Sequence, residues 1–311
     1  MIQDDLRLRI LIGIGGGEEA FTGLKFAARL SQQTCADIAL LYVRPLDSGL
    51  QSGGMEVRVA RENLLDWGLE LPSLVHLRKA RDILADLGEI STEINKEWQH
   101  LDLSGDPAGE FIREYANPCG GTISLRLRTA ADVTSAVIDE ADRFEADLII
   151  VGGSPGPVNG IKKLLTPKPL ALKIASHSDH SIIVARHLEP GHGHLVCVKD
   201  NECSRAMLPK AVQFVHACNC PLTILSVAED EEGRESAALA VSETAAYFRA
   251  NSIEPHESLV KIGNPAEIIT EIGYDFSLIV MAESEKPWFA KVFSVAHDVA
   301  ARAKNSVMIV K

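Results

Sequence analysis

Cysteine and aromatic residues are scarce in this chain, with six Cys and a 5% share of Phe, Trp and Tyr in 311 residues. Six thiols in so long a chain do not make a disulfide framework, and their scarcity predicts a reducing compartment, the cytoplasm. Basic residues are also in deficit: 31 Lys and Arg stand against 43 Asp and Glu, a net charge of -12. Binding to nucleic acid or to an anionic membrane needs clustered Lys and Arg, so neither partner is expected. No segment approaches the ~20 consecutive apolar residues that a membrane span requires. Asp4 and Asp5 occupy the place of a leader's basic region. The apolar run 10–14 is too short for its core, so no secretory signal is expected.

The usual signatures of catalysis are lacking as well. There is no Gly-x-Ser-x-Gly elbow, no His-Glu-x-x-His pair and no Walker lysine spacing. His216, Cys218 and Cys220 lie close together, but the second ligand pair of a zinc site is missing. Buried cysteines at a helix-to-strand handover account for them. His177-Ser-Asp-His180 reads as a solvated turn between a helix and a strand.

What the chain does have is a repeat. Near the start, the apolar run 8–14 leads through a glycine-rich turn into a helical pattern carried by Phe21, Leu24, Ala27, Ala28 and Leu30. A second apolar run follows, Ile38 to Val43. From His194 the same order returns: Leu195–Val198, a turn at Asp200-Asn201, a helix face of Leu208, Ala211, Val212 and Val215, and then Leu222–Val227. Val43 and Val227 are 184 residues apart, whereas the later matching strands place Val151 and Met281 130 apart. The first half therefore carries about 54 additional residues, within an insertion at about 46–121. That insertion reads as a flexible loop at Gln51–Gly54, a helical stretch from Val57 to Leu87 broken at Pro72, and a loop-rich tail from Leu101 to Gly121. It is expected to act as a packing extension, a lid or a docking surface for a protein partner.

Strands that are apolar throughout, alternating with amphipathic helices, predict parallel sheets covered on both faces. Right-handed crossovers then give two doubly wound α/β domains in tandem, 1–187 and 194–311, joined by a linker at 188–193. Ligands in such folds collect at the carboxyl ends of strands, so the turns after the first and fourth strands are the places to inspect. Gly13-Ile-Gly15-Gly16-Gly17-Glu18 begins like a dinucleotide fingerprint and ends wrongly. Glu18 stands where the third glycine belongs, and Arg44-Pro45 closes the second strand where an acid should. Gly152-Gly153-Ser154-Pro155-Gly156, directly after the strand Leu148–Val151, is the stronger phosphate candidate. Lys162 and Lys163 follow it and could neutralise a phosphate or belong to an exposed basic face.

Together these residues resemble the universal stress protein family, and more narrowly its tandem members. The resemblance implies two domains paired through their final strands as an internal pseudo-dimer. It also implies a site for ATP or AMP built on G-x-x-G, nine residues, then G-[S/T]. Gly153-Ser154-Pro155-Gly156 matches the first pair; Thr166-Pro167 stands near the second without matching it, and Thr166 supplies a hydroxyl. Val43 keeps the place where the family's backbone borders adenine. The family's aspartate after the first strand reads Gly15 here. In the second half that aspartate reads Lys199, the G-x-x-G place reads Ala282-Glu283-Ser284-Glu285, and Phe293 precedes Ser294-Val295. Carboxylates there compete with an anion. The expectation is thus a non-enzymatic, nucleotide-sensing stress protein whose site, formed by Val43, Gly152, Gly153, Ser154, Gly156 and Thr166, belongs to the first half. A partner-docking adaptor without nucleotide and a slow ATPase are the alternatives.

Overall fold

The computed structural model describes residues 7–15, 18–45, 72–95, 97–103, 106–153, 169–186, 192–283 and 294–311. They fall into two compact units, Met1–Gly152 and Gly153–Lys311.

In the first unit, β1 (Arg9–Gly13), β2 (Asp37–Pro45), β6 (Thr122–Ala130) and β7 (Leu148–Gly152) are parallel neighbours in the order β7-β1-β2-β6. Ile10, Leu11 and Ile12 of β1 and Ile38 to Leu41 of β2 are buried without alternation, as strands covered on both faces must be. Each fully buried Leu or Ile contributes about 1.5–3 kcal/mol, so these runs hold the sheet together. Helix α1 (Glu19–Thr34) packs against this core with Leu24, Ala27 and Leu30 fully buried. It ends at Cys35 in the left-handed region, φ 52°, whose N–H donates to Ser31 O at 2.7 Å. Helix α2 (Pro72–Asp86) buries Leu74, Leu77, Ala80 and Leu84. Helix α3 (Val133–Phe144) is capped by Asp132, which accepts from the N–H groups of Thr134 and Ser135.

The tail of the insertion differs from its sequence reading. Residues 101–121 are largely strand: β4 (Gln99–Leu103) and β5 (Asp106–Ala116) are antiparallel, β3 (Thr92–Glu93) pairs with the far end of β5, and β5 lies antiparallel to β6. The glycines and prolines suggested loops because turn residues dominate local propensity, while β5 is held by pairing that no local pattern reveals. A buried charge cluster joins it to the scaffold. Glu110 of β5 and Glu140 of α3 have no exposed surface. Arg143 Nη2 donates to Glu110 Oε2 at 2.6 Å, Arg128 Nη1 to Glu140 Oε2 at 3.3 Å, and Arg126 also donates to Glu140. Burial, and then the charge of Glu140, push the Glu110 carboxyl above the usual range against the pull of Arg143. Of the helical stretch expected over 57–87, the part from Pro72 is helix; 57–71 and the loop at 51–54 lie outside the described residues.

The second unit opens with α4 (Leu170–His177) and β8 (Ser181–Ala185) and continues with β9 (His194–Val198), α5 (Glu202–Cys218), β10 (Leu222–Ala228) and α6 (Arg234–Ala250). It closes with β11 (Glu257–Ile262), α7 (Pro265–Ile272), β12 (Leu278–Ala282), α8 (Val295–Arg302) and β13 (Ser306–Val310). The strand order is β11-β10-β9-β12-β13-β8, parallel except for the last pair. The final strands of the two sequence repeats therefore lie side by side, with Ile183 opposite Met308. Buried Arg186, just after β8, secures this pairing. Its N–H donates to Ser306 Oγ at 2.9 Å, and its guanidinium donates to the carbonyls of Gly153, Ala300 and Ala303. Two of those carbonyls close α8, where a cation is favoured by the helix dipole. Burial lowers the guanidinium to about 10.

Candidate functional site

A cavity of about 660 Å³ opens in the second unit at the carboxyl ends of β9, β10 and β12. The strand order turns here: β9 is flanked by β10 on one side and β12 on the other, which parts the loops above it. Apolar side chains of Val198, Val227, Ile269 and Met281 line its floor, with the hydroxyls of Ser204 and Ser226 among them.

Its rim carries one lysine, Lys199, against four carboxylates, Asp200, Glu229, Asp230 and Glu283. Lys199 is exposed, and its ammonium makes no ion pair among the described residues. Asp200 accepts from Arg205 Nη1 at 2.8 Å and from Ser236 Oγ at 3.1 Å, and these two bonds hold its carboxyl below the usual range. Asp230 Oδ1 accepts from the Gly233 N–H at 2.9 Å. Glu283 turns toward the protein: it lies 2.9 Å from Lys311 Nζ and 3.7 Å from His297 Nδ1.

Four helices begin at this cavity, α5, α6, α7 and α8, and helix N-termini attract anions. A side chain caps three of them, and α6 has no side-chain cap. Asn201 Oδ1 accepts from the Ser204 N–H at 2.9 Å, Asn264 Oδ1 from those of Ala266 and Glu267, and Ser294 Oγ from that of His297. The acid rim opposes a polyphosphate as well. The chamber can bury a flat, mostly apolar body and hydrogen-bond its edge. A neutral or cationic edge suits the rim.

The residues expected from sequence are distributed differently. Val43 is half-buried on β2, opposite Arg128 of β6, and its neighbour Tyr42 stacks on His76 of α2 at 5.7 Å between ring centres. Gly152 ends β7 in the first unit, and Gly153 begins the second. Ser154, Gly156 and Thr166, with Lys162 and Lys163, lie outside the described residues. Gly153 has a packing reason of its own, because a Cβ there would stand 2.4 Å from Val184 Cγ1. The cavity residues were visible in the sequence only as departures from the family's motif. Lys199 and Glu283 argued against a phosphate and said nothing of space.

His216 Nε2 bonds to Asn251 O at 2.8 Å and Cys220 Sγ to Cys218 O at 3.3 Å, so each side chain joins the local backbone. No helix among the described residues is long and apolar enough to cross a membrane.

Comparison with known proteins agrees with this architecture. The model of the universal stress protein family matches residues 194–311. No curated protein matches the sequence. Among solved structures, a universal stress protein from Archaeoglobus fulgidus DSM 4304 is similar over 97% of this chain and 96% of its own, at TM-score 0.58 and 14% identity. A universal stress protein described as putative, from Pseudomonas aeruginosa UCBPP-PA14, covers 97% and 92% at TM-score 0.61 and 14% identity. A functionally unknown protein from Pseudomonas aeruginosa PAO1 gives the same figures. Residues 194–311 are thus a universal stress protein domain, and the chain as a whole carries the α/β fold of universal stress proteins.

Proposed function

We propose that the chain is a non-enzymatic, cytoplasmic ligand-sensing stress protein, built from repeats 1–187 and 194–311, whose second repeat receives a small molecule. The cavity at the carboxyl ends of β9, β10 and β12 carries this reading. Its floor suits a planar heterocycle such as a nucleobase or nucleoside, and its four rim carboxylates disfavour a triphosphate. Binding there would act by ordering the loops that follow the three strands.

The first repeat keeps Gly153 and Gly156 in its sequence. On that observation we propose AMP or ATP as its ligand, held by Val43, Gly152, Gly153, Ser154, Gly156 and Thr166.

One preparation tests both readings. Freshly purified protein is denatured and the released small molecules are identified by mass spectrometry, followed by calorimetric titration with adenosine, AMP and ATP. The second-repeat reading expects retention or binding of an uncharged nucleoside-like compound that is lost in Ala282→Trp, which fills the cavity mouth. Heat with ATP that survives this substitution and vanishes in Gly156→Trp would place nucleotide in the first repeat. No released compound and no heat with any of the three would sink both.

A further inference from the structure

Six cysteines scattered over the chain do not form a framework, but the fold brings two of them together at the amino end of the first unit's sheet. Cys35 closes α1, and Cys119 lies in the turn between β5 and β6, 84 positions later in the sequence. Both converge on one carbonyl: Ser31 O accepts from the Cys35 N–H at 2.7 Å and lies 3.9 Å from Cys119 Sγ. The Cys119 thiol lies within electrostatic reach of the Cys35 thiol.

The backbones on either side are fixed. Asn117 Nδ2 donates to Ser31 Oγ at 2.7 Å and to Glu89 Oε2 at 3.0 Å, and its Oδ1 accepts from the Cys119 N–H at 2.9 Å. Gly121 permits the close approach, since a Cβ there would stand 2.6 Å from Ala36 O and 3.1 Å from Cys35 O. Asp37 Oδ1 then takes the Thr122 N–H at 2.7 Å. Cys119 is exposed and Cys35 partly so, which gives a small disulfide access to the pair. The other four thiols are placed otherwise. Cys197 is buried in β9, Cys203 stands at the cavity, and Cys218 and Cys220 meet through a carbonyl.

We propose that Cys35 and Cys119 are a reversible dithiol switch, closed by a low-molecular-weight disulfide such as glutathione disulfide. The thiolate of one cysteine attacks a glutathione sulfur and releases one glutathione. The other then attacks the resulting mixed disulfide and releases the second. Two protein thiols are oxidised, one glutathione disulfide is reduced to two thiols, and the two sulfur protons leave with the glutathione or to solvent. In a reducing compartment such a bond is transient, as sensing requires. When closed it ties the end of α1 to the inner turn of the inserted strands.

Partial desolvation of the sulfur, and then the neighbouring Cys35 thiol, push the Cys119 thiol up to about 11. The thiolate is therefore scarce at neutral pH, and closure accelerates about tenfold per pH unit between pH 6 and 8.

The test incubates the full chain with glutathione disulfide at these pH values, alkylates the remaining thiols and maps the non-reduced digest by mass spectrometry. The expected product is a Cys35–Cys119 linked peptide two mass units lighter, reversed by dithiothreitol, with a thermal midpoint raised by several degrees. Cys35→Asn, which suits the left-handed backbone, and Cys35→Ser should both stop at a glutathione adduct on Cys119. Separate alkylation of both residues after oxidation would overturn the proposal. So would a persistent adduct on Cys119 in the unaltered chain, or a link formed equally well in denatured protein.

Discussion

The two units share a parallel core and finish its edge differently. Beyond the second core strand, the second unit stops at β11, whose six residues are exposed or half-exposed. The first unit continues past β6 through β5 to β3 and β4, with Phe111, Ile112 and Tyr115 buried on β5. Extending the sheet brought charge inside, since Glu110 and Glu140 are sealed with three arginines where β5, β6 and α3 meet. Among the described residues the second unit buries a single carboxylate, Glu283, against Lys311, and leaves its others at least partly exposed. Equivalent scaffolds have thus diverged toward a welded interior in one unit and a receptive opening in the other.

Removing the central acid of the weld should test that contrast most strongly. Glu140→Ala leaves Arg128 without its carboxylate and Arg126 with only Glu110 at 4.0 Å, and should cost about 3–5 kcal/mol in urea unfolding, the cost of breaking a buried ion pair from one side. A loss below 1 kcal/mol would mean that the cluster is decoration.

Arg186 is a buried cation of the second unit whose partners are neutral carbonyls. Arg186→Leu should cost about 2–3 kcal/mol through stranded acceptors, and Arg186→Lys, which cannot reach three of them, should recover only part. Full recovery with lysine would show that charge rather than geometry matters there.

A third measurement concerns pH. The raised Glu110 carboxyl keeps its proton in the folded state above 4.5, where the unfolded chain has lost it. Its contribution is complete below that value and fades as pH rises through the folded value. Glu110→Gln, neutral in both states, should therefore gain on the unaltered protein with rising pH across this window. The gain is bounded by about 1.4 kcal/mol per pH unit. Parallel urea midpoints for the two proteins from pH 4 to 8 would contradict the assignment.

The smallest effect belongs to Asp200. Its exposed carboxylate is held down by Arg205 and Ser236, so Arg205→Ala should move its NMR titration toward the ordinary aspartate value without a measurable change in unfolding midpoint. A substantial loss of stability would give the cavity rim a structural role.

Much of the fold was legible. Apolar runs such as 148–151 and 278–281 recur with the helices between them, and burial on both faces forces parallel pairing. The inserted strands were not legible, because Gly105, Pro107 and Pro118 read as turns while the pairing of β5 with β6 is a tertiary event. The sequence reading placed a site in the first half, so the second unit's cavity was not legible from it. The strand ends after β9, β10 and β12 are where such folds bind, yet Lys199 and Glu283 looked only like losses.

Sequence by itself determined the duplicated α/β plan, because hydrophobic periodicity is local and each residue pattern dictates its own element. Tertiary structure alone decided that a chamber stands open above β9, that Glu110 meets Arg143, and that Cys35 and Cys119 converge on the Ser31 carbonyl. Those meetings depend on strand order and on loops closed over tens of residues, and chain closure leaves no periodic trace in the residues it joins.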